Sequence, residues 1–300
     1  MTYLQLGPES LLQPDASAGL SCQSVLRVET GIQPSPLVVD ISRSGTSYPP
    51  EFLMGTAQDS LHKKLSPYVE RIALPSRREG ATILMAMFPP SFVDPNRPVD
   101  DIDPAILDQS WPTPLKPQLA SQKAGSGLIH TLGADYQPLY TAPLPVDAIR
   151  HRVDNYYRPY HDMLSDLLAQ RRSRFGVAFQ LSCHSMSSVG PRDGVRRPDI
   201  CLGDLDGTTT SPVFRDLAVD IFRQRGFEVA LNTPFRGNEL IRRHADPAGG
   251  IHSLQIEFRR DLYLDEASRI PHVGLESLQA CVTELAGAVR RLSSDDMSSP

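Results

Sequence analysis

Apolar residues along the chain come in two kinds of run. Short continuous blocks of four to seven predict buried strands, and longer stretches at helical spacing predict helices. Pro36-Leu37-Val38-Val39-Asp40-Ile41 reads as a buried strand ending in a Ser44-Gly45 turn. Ala81–Met87, Val177–Leu181, Asp199–Gly203, Phe227–Leu231 and Leu254–Phe258 read the same way, and Ser24–Val28 as a shorter strand. Helical spacing covers about Asp59 to Ala73, interrupted by Pro67, then Ser211 to Gln224 and Leu275 to Leu292. The clearest helix runs from Val146 to Arg174, with a kink expected at Pro159 and a stop at Gly176. Between Phe88 and Pro145 lies a Pro-rich excursion of a length that is uncommon in compact domains unless it serves a site.

Strands alternating with helices predict an α/β fold: a mixed, largely parallel sheet with helices on both faces. The expected organisation is an irregular segment over 1–35, one α/β domain over 36–292 and a flexible tail over 293–300. Ligand sites in such sheets lie beyond the carboxyl ends of strands. Arg43 follows the first buried strand. Asp94, Asn96 and Arg97 follow the second, His184 the third and Asp204 the fourth, while Glu257 lies in the last. These residues are the candidate pocket; the bland alternative is that they are turn formers.

Composition narrows the chemistry. Of 300 residues, 40% are hydrophobic and 22% charged, with a net charge of −5, which is ordinary globular composition. A mildly acidic chain has no general attraction for nucleic acid or anionic lipid, so neither is expected as a partner. No apolar run reaches membrane-spanning length, and no secretory signal is visible. Cys22, Cys183, Cys201 and Cys281 are far apart and form no metal or disulfide spacing. A reducing cytoplasmic setting is the expectation.

Several segments resemble, in order, the motifs of the N-formylglutamate amidohydrolases. Asp94-Pro95-Asn96-Arg97 is similar to that family's Asp-x-Asn-Arg, and Tyr157-Arg158-Pro159-Tyr160-His161 to its helix motif. Gly176 through Met186 resembles the Gly-strand-Asp-Cys-His-Ser-Met segment. Leu202-Gly203-Asp204 with Gly207-Thr208 resembles a Leu-Gly-Asp loop, and Gly250 through Glu257 the Gly-Val-His-Ala-Leu-Gln-Ile-Glu strand. The resemblance implies a zinc-carboxypeptidase-like, phosphorylase/hydrolase-type fold and hydrolysis of an N-formyl amide. It also implies a zinc ion that polarises the carbonyl and activates water, a glutamate that shuttles the proton, and Arg and Asn side chains that hold carboxylates.

The departures fall on the implied metal ligands. Where the family writes Pro-His-Ser-Gly, this chain has Ser42-Arg43-Ser44-Gly45. A guanidinium has no usable lone pair and repels a cation. An expected acidic ligand aligns with Leu65 or Ser66, and His62 is an alternative donor one turn away. His184 survives as a ligand if a metal is retained, with Ser182 in place of the family's Asp. Zinc is therefore the family's cofactor but is opposed by residues 43 and 65.

Glu257, His184 and Arg43 are the candidate catalytic residues. Asp94, Asn96, Arg97, Asp204 and Arg242 are the candidate substrate-binding set, for an acylated amino acid or another small carboxylate. Arg43 either pairs with Glu257 or serves as a fixed cation for a carboxylate or oxyanion. Cys183, adjacent to His184 on a strand, points to the opposite face and is structural. Tyr160 and His161 brace their helix, and His130 and His252 are structural. Three functions remain open: an amide hydrolase with an altered site, a non-catalytic binder or partner subunit, and a conventional zinc enzyme with its ligands elsewhere.

Overall fold

The computed structural model describes residues 25–53, 61, 63–191 and 193–296. His62 and Cys22, both singled out in the sequence, lie outside these residues, as does most of the expected N-terminal segment. Seven strands form one sheet in the order β1-β3-β2-β4-β7-β5-β6. They are β1 Leu26–Glu29, β2 Leu37–Ile41, β3 Thr82–Ala86, β4 Ala178–Met186, β5 Ile200–Gly203, β6 Val229–Leu231 and β7 Ile251–Arg259. The four strands β3, β2, β4 and β7 are mutually parallel, while β1 and β5 each run antiparallel to their inner neighbour. The expected mixed, mostly parallel sheet is what forms.

Alternation along the strands divides the core into two layers. Val39, Ile41, Leu181, Cys183, Leu254 and Ile256 face one side. There they pack with α1 (Val69–Ala73), α4 (Pro212–Gln224) and α6 (Gly274–Asp296). Val38, Leu84 and Ala178 face the other side, under α2 (Val146–Arg152), α3 (Arg158–Phe175) and α5 (Glu239–His244). Cys183 thus lies in the layer opposite His184, as period-two alternation requires.

Four elements differ from the sequence reading. The helix expected from Asp59 is helical, among its described residues, chiefly over Val69–Ala73. Pro67 disfavours a helical residue before it, and Tyr68 takes φ 60. The long helix changes register one turn before Pro159, through a π segment at Val153–Tyr157. That extra residue makes room for a proline ring that would otherwise meet the preceding turn. Finally, β4 runs nine residues rather than five, so His184 sits inside the strand instead of after it. Full-length pairing with β7, from Ala178↔Ile251 to Met186↔Arg259, carries the strand through its polar half. The last helix extends to Asp296, past the expected end at Leu292.

Candidate active site

The layer that holds Val38 also carries a band of polar side chains. Register sets Asp40 against Ser182, Ser182 against Gln255, and His184 against Glu257, so all five share one face of the central strands. They are buried: Asp40 and Ser182 are 0% exposed, His184 1% and Glu257 7%. Buried polar groups persist only where they are satisfied, and most of these are. Asp40 accepts from Tyr160 Oη (3.2 Å), Gln180 Nε2 (2.8 Å) and Ser182 Oγ (3.0 Å). Burial still outweighs these bonds and pushes its carboxyl up to about 6.

Ser182 Oγ also lies 3.0 Å from His184 Nε2. The Ser182 hydroxyl and the Asn96 amide both face Nε2, and the neutral ring divides one N–H and one lone pair between its two nitrogens. Nδ1 is buried with no hydrogen-bond partner among the described residues. Burial first, then the Arg43 charge, holds the imidazole neutral by lowering it to about 3.

Asn96 joins this band to the excursion after β3. Its Nδ2 donates to Gln255 Oε1 (3.1 Å) and lies 3.4 Å from His184 Nε2, while its Oδ1 accepts from Leu240 N of α5 (3.1 Å). Gln255 Nε2 in turn donates to Glu257 Oε1 (3.1 Å). Asp94 is fully buried and anchors the basic wall: Arg43 Nη2 is 3.6 Å and Arg97 Nε 3.9 Å from Oδ2, with His130 Nε2 at 3.3 Å. Burial alone would raise this carboxyl. Arg43, His130 and Arg97 more than offset it and hold Asp94 well below the usual carboxylate range.

Above this floor opens a cleft of about 400 Å³. Arg43, Lys64, Arg97, Arg197, Arg236 and Arg260 line it, together with Asn96, Gln255 and Glu257. The cleft is strongly cationic around one carboxylate, on a chain whose net charge is −5. Burial pushes Glu257 up to about 7, against the opposing pull of Arg43, Arg260, Arg197 and Arg97. Lys64 is lowered to about 8 by burial and by Arg43 and Arg97.

The sequence candidates therefore separate. Arg43, Asn96, Arg97 and Glu257 line the cleft. His184 and Asp94 sit just behind those residues, bonded to them. Asp204 and Arg242 do not line it. The sequence reading assumed that strand ends converge, but β5 is antiparallel to β7, so Asp204 leaves the sheet at the other end. Its Oδ1 accepts from Gly207 N (2.8 Å) and Asn232 Nδ2 (2.7 Å), and Oδ2 lies 3.7 Å from Arg215. Arg242 is half-exposed on α5, beside Glu239 and Asn238.

For the same reason Arg197, which precedes antiparallel β5, arrives at the cleft. Sequence reading missed it, along with Lys64, Gln255 and Arg260. It passed over Asp40 as well, although a carboxylate inside the apolar run Leu37–Ile41 was a visible signal. Among the described residues, no three His, Cys, Asp or Glu side chains converge as a metal ion requires.

Comparison with known proteins bears on this arrangement. The profile of the N-formylglutamate amidohydrolases matches residues 35–264. This chain belongs to the N-formylglutamate amidohydrolase family. The crystal structure of N-formylglutamate amidohydrolase from Ralstonia eutropha JMP134 superposes with a TM-score of 0.83 and 36% sequence identity. That superposition covers 91% of this chain and 99% of that one. N-formylglutamate deformylase from Pseudomonas putida is 31% identical over 64% of this chain and 67% of its own length. Its namesake from Pseudomonas aeruginosa is 27% identical over 83% of this chain and 91% of its own. The family match spans every cleft-lining residue named above, from Arg43 to Arg260. No helix among the described residues is long and apolar enough to cross a membrane.

Proposed function

We propose that this family member hydrolyses the amide of an N-acylated amino acid in the cationic cleft, with Arg43 where the resemblance expects a metal ligand. The observation that carries the reading is Glu257: a buried carboxylate raised to about 7 and ringed by four guanidinium groups. A group poised near neutrality can both take and return a proton. The donor set does not fit zinc. A neutral His184 offers one lone pair, but the positions where the resemblance expects two further ligands carry the Arg43 guanidinium, which has none to give, and either Leu65, which faces away from the cleft, or Ser66, whose Oγ already accepts from Ser185 N (3.0 Å).

In this reading the substrate's carboxylates are held by Arg97, Arg197 and Arg260, whose forked donors suit planar anions. The acyl oxygen faces Arg43, whose charge stabilises the oxyanion as water adds to the carbonyl carbon. Glu257 removes the proton from that water and delivers it to the nitrogen as the C–N bond breaks. The products are a carboxylic acid and a free amino acid. Gln255 orients Glu257 through the 3.1 Å bond to Oε1. His184, Ser182 and Asp40 position Asn96 and the floor beneath it rather than touching substrate.

The second reading is a non-catalytic binder or partner subunit. The same Arg43 favours it, because a fixed cation binds an anion whether or not chemistry follows. Turnover separates the two. Purified protein should release formate or acetate from N-formyl- or N-acetyl-L-glutamate, and Glu257→Gln should abolish that release. Binding of the same compounds with no product establishes the binder instead.

A further inference from the structure

On the far side of the Arg43 wall lies a second cavity, of about 470 Å³, that the cleft chemistry does not use. The wall is a pair of short segments tied together. Ser66 N donates to Arg43 O (2.8 Å), and Ser44 Oγ donates to Ser66 O (2.6 Å). Alternation across this pair presents Arg43 and Ser66 to the cleft and Ser44 and Leu65 to the second cavity. Leu65 O also accepts from Arg260 Nη2 of the cleft (3.0 Å), so the two spaces share a partition without sharing side chains.

The second cavity is lined by groups of both signs beside an apolar surface. Glu70, Lys63 and Arg269 line it together with Leu65 and Tyr68. Glu70 Oε2 is fully buried with no hydrogen-bond partner among the described residues. Burial holds this carboxyl above its ordinary value, against the opposing pull of its own backbone N–H, the Ser44 hydroxyl and the Arg71 charge. Among those residues none of Glu70, Lys63 and Arg269 forms a salt bridge, although Arg–Glu pairs form elsewhere on the chain. An unpaired buried carboxylate oxygen is costly. A ligand that brings an ammonium group relieves that cost, and its carboxylate then finds two cations at the rim.

We propose that this cavity is a binding site for a free, zwitterionic α-amino acid with an apolar side chain. The ammonium group meets Glu70, the carboxylate meets Arg269 and Lys63, and the side chain lies on Leu65 and Tyr68. The site is separate from the cleft and does not depend on whether the cleft hydrolyses anything.

Calorimetric titration of the full chain with L-leucine tests it, alongside L-leucinamide, which lacks the carboxylate, and 4-methylpentanoate, which lacks the ammonium group. Saturable binding of leucine is expected, weakened about tenfold or more when either charge is removed from the ligand. Glu70→Gln and Arg269→Gln should weaken it as much while circular dichroism shows both folded. Arg269 is only partly buried, so that variant carries the test if Glu70→Gln does not fold. Glu257→Gln should bind leucine as the wild type does. No saturation by roughly 10 mM ligand overturns the proposal. So does leucine binding that survives Glu70→Gln and Arg269→Gln but is lost in Glu257→Gln, since that places the ligand in the cleft.

Discussion

Replacing Glu257 by glutamine should make the protein more stable above neutral pH, and the gain should vanish in acid. The folded state holds this carboxyl at about 7 against an ordinary 4.5, with burial as the main cause. A raised carboxyl binds its proton more tightly when folded, so its contribution to stability is present below pH 4.5 and is lost as pH rises to 7. That interval corresponds to roughly 3 kcal/mol, a large share of a typical folding free energy. Glutamine is nearly isosteric, carries no charge, and its amide oxygen can still accept from Gln255 Nε2 (3.1 Å in the wild type). Urea unfolding of both proteins at intervals from pH 4.5 to 8 measures the difference directly. The variant should match the wild type near pH 4.5 and exceed it by about 3 kcal/mol at pH 8. A pH-independent difference, or a variant weaker than wild type at pH 8, would refute the reasoning. It would mean that the four guanidinium groups outweigh burial and that Glu257 is an ordinary ion-pair partner. A carboxylate kept at such a cost is the expected mark of a group retained for function.

Three further outcomes follow from the same geometry. Asn96→Ala should destabilise by about 3 kcal/mol, because it strands the buried Leu240 N–H and Gln255 Oε1. Asn96→Asp, which keeps the acceptor for Leu240 N, should cost less, and chemical denaturation separates the two. The buried imidazoles of His130 and His184 are lowered to about 4 and 3, the half-buried His244 to about 4, and His161 is lowered too. Lowered bases stabilise the fold above pH 6.5 and lose that contribution as pH falls. The raised carboxyls of Asp40, Glu70, Glu239 and Glu257 act oppositely, so the histidine part is read by difference: wild-type stability relative to His184→Gln should drop between pH 6.5 and 4.5 in urea unfolding, and a constant difference would contradict this. Arg43→His with Ser66→Asp, both facing the cleft, supplies the two donor types that the family resemblance expects. The double variant should take up about one zinc per chain by mass spectrometry where the wild type takes up none. Failure of the folded variant to bind zinc would show that residues 43 and 66 are not the metal corners.

Much of the fold was legible because its signals are local. Val38, Val39 and Ile41 form an apolar block of strand length, and the Ser211-Pro212 start and Gly176 stop are set by capping and by a positive φ of 76 at Gly176. The site was only partly legible because register and direction are set by distant pairing. Nothing near Asp204 announces that β5 runs antiparallel, and that one reversal removes Asp204 from the cleft and brings Arg197 to it. The polar half of β4 hid the strand in the same way: Ser182 and His184 look like a loop until nine residues of β7 pair beside them. Asp40 was readable in principle, since a carboxylate in a fully buried strand must have partners. Tyr160, Gln180 and Ser182 supply them from 120, 140 and 142 residues away.

The claim that Arg43 and Glu257 do the work of a metal site is tested most directly by turnover of an N-acyl amino acid in the presence of a strong chelator, with metal content measured on the same sample. Release of formate from N-formyl-L-glutamate should persist without metal, rise through pH 7 as Glu257 ionises, and disappear in Glu257→Gln. One tightly held zinc per chain, with turnover that stops when it is removed, would contradict it.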